Sequence, residues 1–154
     1  MNSCIFCNIT SGKWDSACFW QNDELMAILD INPNTTGMAL VLTKKHYDSY
    51  AFNMPDDVYT RFMLAAKHVG RILERGLRVQ RVALVMEGMG VNHAHIKLYP
   101  LHGLDQQFKE MLAPDRIFFD QYTGYLTTQL GPQVDLATLK PLAETLKKAC
   151  RAIA

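Results

Sequence analysis

Residues 93–100 of this chain, His-Ala-His-Ile-Lys-Leu-Tyr-Pro, alternate between polar and apolar side chains. On a strand, successive side chains point to opposite faces, so His93, His95, Lys97 and Tyr99 share one face while Ala94, Ile96 and Leu98 share the other. The apolar face belongs against a core. The polar face has a bland reading, a solvated strand surface. Two imidazoles beside an ammonium are nevertheless an unusual way to meet water, because imidazole is chiefly useful near neutral pH as a metal ligand or as a proton or phosphoryl acceptor.

The surrounding chain supplies a sheet for this strand. Residues 79–87 have a nearly continuous apolar centre, Val82-Ala83-Leu84-Val85-Met86, which predicts a central position in the sheet. The short loop Gly88-Met89-Gly90-Val91-Asn92 makes that strand and the His93 strand antiparallel neighbours. Upstream, residues 18–21 and 25–30 flank the turn Asn22-Asp23 as a hairpin, and residues 38–43 follow the turn-rich segment 31–37 as another strand. Lys44 and Lys45 close it, as a solvated strand end or a phosphate-attracting edge.

From Pro55 the period changes. Val58, Phe62, Ala65, Val69 and Ile72 recur at helical spacing, predicting one amphipathic helix of about 20 residues, with Asn53 as its cap, acidic Asp56 and Asp57 in its first turn and Gly76 as its stop. His68 lies beside that apolar stripe and reads as a packing or surface residue. Beyond Pro100 the pattern predicts a short helix at 105–112, a strand-like segment at 124–128 and a turn at Gly131-Pro132. A last helix carries Leu139, Leu142, Leu146, Ala149 and Ile153 on one stripe, with Pro141 tolerable only near its first turn. This tail is expected to pack on the domain or on a partner subunit.

Bulk properties narrow the function. A chain of 154 residues is long enough for one domain that buries about two-thirds of its unfolded surface. With 16 Lys and Arg against 15 Asp and Glu the formal charge is +1, which indicates neither bulk nucleic acid nor an anionic membrane as a partner and leaves local phosphate binding open. No run of about 18 apolar residues occurs, and Met-Asn-Ser-Cys-Ile-Phe-Cys lacks a basic region followed by a hydrophobic one, so a cytoplasmic protein is expected. The four cysteines, Cys4, Cys7, Cys18 and Cys150, do not form a disulfide framework and fit a reducing compartment.

Cys4 and Cys7 make a Cys-x-x-Cys, which serves as a redox motif, half of a zinc site or two buried thiols. Only three residues precede it, whereas a redox pair follows a strand, so zinc or burial is favoured. His46 and His93 complete a candidate Cys2His2 set that would tie the N-terminus to the sheet, although the usual His-x3-5-His half is missing. His95 then remains for chemistry: a neutral imidazole can attack a phosphoanhydride phosphorus and hold the nucleotidyl group. Lys97 would meet the phosphate charge. Asp30 suits ribose hydroxyls, or equally a turn carboxylate.

Four stretches in order, Cys4-Ile5-Phe6-Cys7, Leu29-Asp30-Ile31-Asn32-Pro33, Leu40-Val41-Leu42-Thr43-Lys44-Lys45-His46 and the residue 93–100 strand, resemble the histidine triad (HIT) family of nucleotide hydrolases and transferases. The resemblance runs from about residue 4 to residue 103. It implies an α+β fold with a five-stranded antiparallel sheet, one long helix and a C-terminal helical extension, divided as a HIT-like domain over 1–103 and an extension over 104–154. It also implies a homodimer whose sheets join, and nucleotide substrates cleaved at the α-phosphate with His95 as the nucleophile. Ile28, Asp30, Ile31 and Gly90 fall at nucleotide-binding positions, and Cys4, Cys7, His46 and His93 at the positions that hold structural zinc in the metal-containing members.

Three departures from the family pattern stand out. Lys97 occupies the third motif position, commonly His, so imidazole is lost as a proton source for the leaving group. Met38 replaces a frequent His after Gly37. The Gly-rich phosphate loop is reduced to residues 88–92. Two further readings therefore stand beside the enzyme: a non-catalytic nucleotide-binding module with a structural zinc, and a zinc domain that acts through the surface of its C-terminal helix.

Overall fold

A computed structural model describes residues 4–104, 121 and 132–151. One five-stranded sheet organises the fold. A short helix, α1 (Ile5–Thr10), precedes the strands β1 (Cys18–Gln21), β2 (Leu25–Leu29) and β3 (Ala39–Thr43). The long helix α2 (Asp56–Leu77) leads to β4 (Val82–Val85) and β5 (His95–Pro100), and α3 (Leu136–Arg151) closes the described chain. The five strands are antiparallel in the order β1-β2-β3-β5-β4.

The period-2 alternation sorts the sheet into two faces. Ala27, Leu29, Val41, Ile96 and Leu98 turn to α2, whose Phe62, Val69, Ile72 and Leu73 are fully buried against them. Leu139, Ala143 and Leu146 of α3 belong to the same core, so the described part of the last helix's apolar stripe packs on its own chain. Met26, Ile28, Leu40 and Leu42 face the other way and pack with Phe6 of α1 in a second, smaller cluster. That second face also carries the polar side chains of β5.

Several sequence expectations are corrected here. The apolar run 82–86 lies at the edge of the sheet, not its centre, because β5 takes β3 on its other side; Leu84 is consequently 41% exposed. Asn53 does not cap α2. It sits in a 3₁₀ turn at Ala51–Asn53, and Pro55 is the cap residue, without a side-chain bond. Gly76 does not stop the helix but lies within it, where a β-carbon would stand 2.6 Å from Leu146 Cδ2: it lets α3 approach α2. The helix ends instead at Arg78, in the left-handed conformation with φ 55°. Pro141 lies beyond the first turn of α3 and leaves one helical carbonyl without its backbone donor. The expectations for 105–112, 124–128, Gly131 and Ile153 fall outside the described residues.

Candidate active site and metal centre

β5 begins at His95, with His93 in the segment just before it, and both imidazoles are almost wholly buried. His93 Nε2 lies 2.7 Å from the Thr43 carbonyl. A carbonyl only accepts, so that nitrogen carries the proton and Nδ1 keeps its lone pair. Nδ1 faces two sulfurs, at 3.4 Å from Cys4 Sγ and 3.5 Å from Cys7 Sγ, while His46 Nδ1 is 3.3 Å from Cys7 Sγ. The four donor atoms lie within 4.8 Å of one another.

These separations test whether a metal fits. Tetrahedral zinc bonds of ~2.3 Å to sulfur and ~2.05 Å to nitrogen imply sulfur–nitrogen edges of about 3.5 Å. The observed spacings agree, and the Thr43 carbonyl supplies the outer hydrogen bond that orients a metal-binding imidazole. Burial holds His93 below its ordinary pKa, which favours the neutral ring a ligand must be. Burial and then the neighbouring Cys4 push the Cys7 thiol up. Two close thiols would thus both ionise only with a cation beside them.

His95 has the opposite arrangement. Its Nδ1 is 2.7 Å from the His93 carbonyl, so Nδ1 carries the proton and Nε2 the lone pair. Burial lowers its pKa, opposed by the hydrogen bond to His93 and assisted by the charge of Lys97, so the ring stays neutral at neutral pH. The Phe6 ring stands 5.4 Å from His95 and 5.7 Å from His93, between the two centres.

His95 lines a cavity of about 860 Å³, within the range of small-molecule sites. Its lining mixes apolar side chains, Ile5, Phe6, Ile9, Ile28 and Leu40, with the titratable groups of Asp30, Glu87, His95 and Lys97. Asp30 is buried and one of its oxygens accepts the Asn32 amide at 2.8 Å, which fixes the carboxylate at the end of β2. Ile31 lines the cavity and is 38% exposed. Gly90, with φ 90°, borders the site with open space where its side chain would be. The structure therefore brings the sequence candidates together as two adjoining groups, Cys4, Cys7, His46 and His93 in one and Ile28, Asp30, Ile31, Gly90, His95 and Lys97 in the other.

Three contributions escaped sequence reasoning. Glu87 forms a 2.7 Å ion pair with Lys97, both side chains being only about a tenth exposed (11% and 12%). The signal was the hairpin register: Val85 pairs with Lys97, and Glu87 follows two residues after the end of β4. Ser49 clamps the loop before β5, its hydroxyl donating to the Gly88 carbonyl at 2.7 Å while its amide donates to Asn92 Oδ1 at 3.0 Å. A side chain at Gly88 would collide with the Ser49 carbonyl, so the clamp and the glycine require each other. Finally, Val134 before α3 donates its amide to the Ile31 carbonyl at 2.9 Å and lines the same cavity.

The chain is similar to known proteins in sequence and in fold. The HIT domain family model matches residues 11–103. An uncharacterised HIT-like protein of Methanocaldococcus jannaschii is 33% identical over 101 residues, covering 63% of this chain and 78% of its own length. Among solved structures, a hypothetical histidine triad nucleotide-binding protein from Sulfolobus tokodaii superposes with a TM-score of 0.75 at 18% identity, over 97% of this chain and 93% of that one. A zinc-bound histidine triad family protein from Mycobacterium smegmatis gives a TM-score of 0.68 at 21% identity, over 98% and 95%.

Proposed function

The chain belongs to the HIT family, and from that premise we propose that it is a nucleotide hydrolase or nucleotidyl transferase acting at the α-phosphate. The observation that carries this reading is the His95 ring, held by the His93 carbonyl so that its unprotonated nitrogen is the one left for a substrate in the cavity. The apolar side chains of the lining take the base, Asp30 accepts from the ribose hydroxyls, and the amides around Gly90 and the ammonium of Lys97 meet the phosphates. Ile28 and Ile31 flank the nucleoside. His95 Nε2 forms a bond to phosphorus as the bond to the leaving oxygen breaks; water or another acceptor then releases the nucleotide.

Cys4, Cys7, His46 and His93 hold a structural zinc ion in this proposal. These four residues would tie α1 to the sheet through the ion, and α1 carries the Ile5, Phe6 and Ile9 wall of the cavity. Metal analysis of unchelated protein tests this, with one equivalent expected and less than about half an equivalent counting against it. The homodimer forms through the β4 edge, where Leu84 is uncovered. None of the described helices is long and apolar enough to cross a membrane.

The engagement of Lys97 by Glu87 favours one alternative, a nucleotide-binding module without turnover. Incubating the wild type and His95→Ala with nucleotide substrates, quenching in alkali and recording intact mass separates the two. A nucleotidyl adduct on the wild type alone is the expected result. Nucleotide binding with neither adduct nor product would leave the binding module.

A further inference from the structure

Two of the four donors at the metal centre are oxidisable, and they flank the residue that joins that centre to the cavity. Cys4 immediately precedes α1 and Cys7 lies in its first turn, with Phe6 between them in the chain. The Phe6 ring is buried, 5.7 Å from the His93 ring and 5.4 Å from the His95 ring, and it lines the cavity. The helix that carries it has six residues and no side-chain cap at its start. A helix so short does not hold itself. Phe6 is kept in place by packing on Met26, Ile28 and Leu40 and by whatever fastens the two cysteines beside it. Cys4 and Cys7 are half-buried, His46 is exposed, and neither cysteine lines the cavity, so a small reagent reaches the sulfurs without passing the nucleotide site. The donor atoms lie within 4.8 Å of one another, and residues three apart on a helical turn are neighbours, so side-chain rotation brings the two sulfurs together.

We propose that Cys4 and Cys7 are a peroxide-sensitive modification site, whose oxidation to a disulfide releases the metal and, through Phe6, weakens nucleotide binding in the cavity. This rests on the zinc and nucleotide readings above. One thiolate attacks hydrogen peroxide and becomes a sulfenic acid as the oxygen–oxygen bond breaks; the departing hydroxide takes a proton from solvent and leaves as water. The other thiolate attacks the sulfenic sulfur, the sulfur–sulfur bond forms, and a second hydroxide leaves as water in the same way. The two sulfurs lose two electrons and the peroxide gains them. Disulfide sulfurs carry no charge, so only His46 and His93 remain as ligands, too few for a tetrahedral protein site. The tie between α1 and the sheet is then reduced to packing, and the Phe6 wall of the cavity loosens. A thiol reductant and fresh metal reverse every step.

The test treats the full chain, reduced and loaded with zinc, with hydrogen peroxide. Zinc release is followed with a metal-sensitive dye, and the disulfide by the mass of the tryptic peptide 1–13, which contains Cys4 and Cys7 but neither Cys18 nor Cys150. Affinity for AMP and GMP is measured by calorimetry before and after. The peptide should become lighter by two hydrogens, most of the zinc should leave, and the nucleotide Kd should rise at least ~10-fold. Far-UV circular dichroism should stay that of the folded chain, because the larger core lies on the other face of the sheet; general unfolding would refute a local switch. Dithiothreitol with zinc should restore the affinity. Met89 is exposed and also lines the cavity, but dithiothreitol does not reduce methionine sulfoxide, so a loss that persists would assign the effect to methionine and overturn the proposal. Linkage also requires saturating nucleotide to tighten zinc by the same factor, read by competition with a chelator. Zinc retained with both thiols reduced would eliminate the oxidation site; a disulfide with zinc released and an unchanged Kd would eliminate the coupling. If the reduced, zinc-loaded chain bound neither nucleotide, the nucleotide reading would fall and the coupling with it, while the peptide mass and zinc release would still decide the oxidation site.

Discussion

His93 and His95 are near neighbours on the same side of one strand segment, yet a backbone carbonyl accepts from Nε2–H in the first and from Nδ1–H in the second. The first ring therefore turns a lone pair toward two sulfurs, and the second leaves its lone pair for the cavity. Their burial is nearly the same, at 0% and 4% exposure, so burial does not distinguish them. What separates them is which nitrogen the main chain has already used. Two copies of one side chain are assigned different chemistry by the neighbouring carbonyls.

The largest expected effect tests the second ring alone. His95→Ala should reduce nucleotide turnover by on the order of 10⁴-fold or more, with metal content and melting temperature close to wild type. Loss of metal in this variant would show that the two rings do not act separately. Cys4→Ser tests the first centre: it should release the metal and destabilise the fold by roughly 3 kcal/mol or more, read by denaturant unfolding. Equal stability of the variant and wild type would remove the metal from the structural account.

Leu146→Ala acts on the core between α2 and α3, on the other side of the sheet from the rings, and should cost about 2–5 kcal/mol. Turnover per folded molecule and metal content should both remain unchanged, a control for the two variants above. Ser49→Ala should cost about 1 kcal/mol by removing the hydroxyl clamp on Gly88, and should raise KM rather than alter metal content. Equal losses at both centres would make that loop a common support. The smallest effect concerns pH. A depressed pKa keeps His95 neutral at lower pH, so the rate of adduct formation should fall as pH drops, with its half-maximal point below the ordinary imidazole value of about 6.5. A half-maximal rate at or above that pH would contradict the burial argument.

Much of this was readable in the chain because β5 and α2 carry strong periods. The alternation in 93–100 gave the two faces of β5, and Val58 to Ile72 gave the buried stripe of α2. Cys4, Cys7, His46 and His93 were recognisable by residue type, although their convergence depends on three separate segments. The errors have local causes. A run such as 82–86 reports apolar surface but not which neighbours cover it, and here Leu84 faces the uncovered end of the sheet. Gly76 carries the composition of a helix stop, while its use is to admit Leu146. Glu87 was missed because its meaning resides in a cross-strand register, and Ser49 because its partners are 39 and 43 residues away.

The bond from the Val134 amide to the Ile31 carbonyl has a practical consequence for anyone trimming this protein. The stretch recognisable as a family member stops at residue 103, but a fragment cut there would forfeit Leu139, Ala143 and Leu146 from its interior and a wall of its cavity. Homology boundaries and cooperative folding boundaries are different lines on this chain. Expression of the shorter piece would yield a protein with its ligand-contacting residues intact and their enclosure lost, so a weak affinity measured on it would describe the truncation rather than the site.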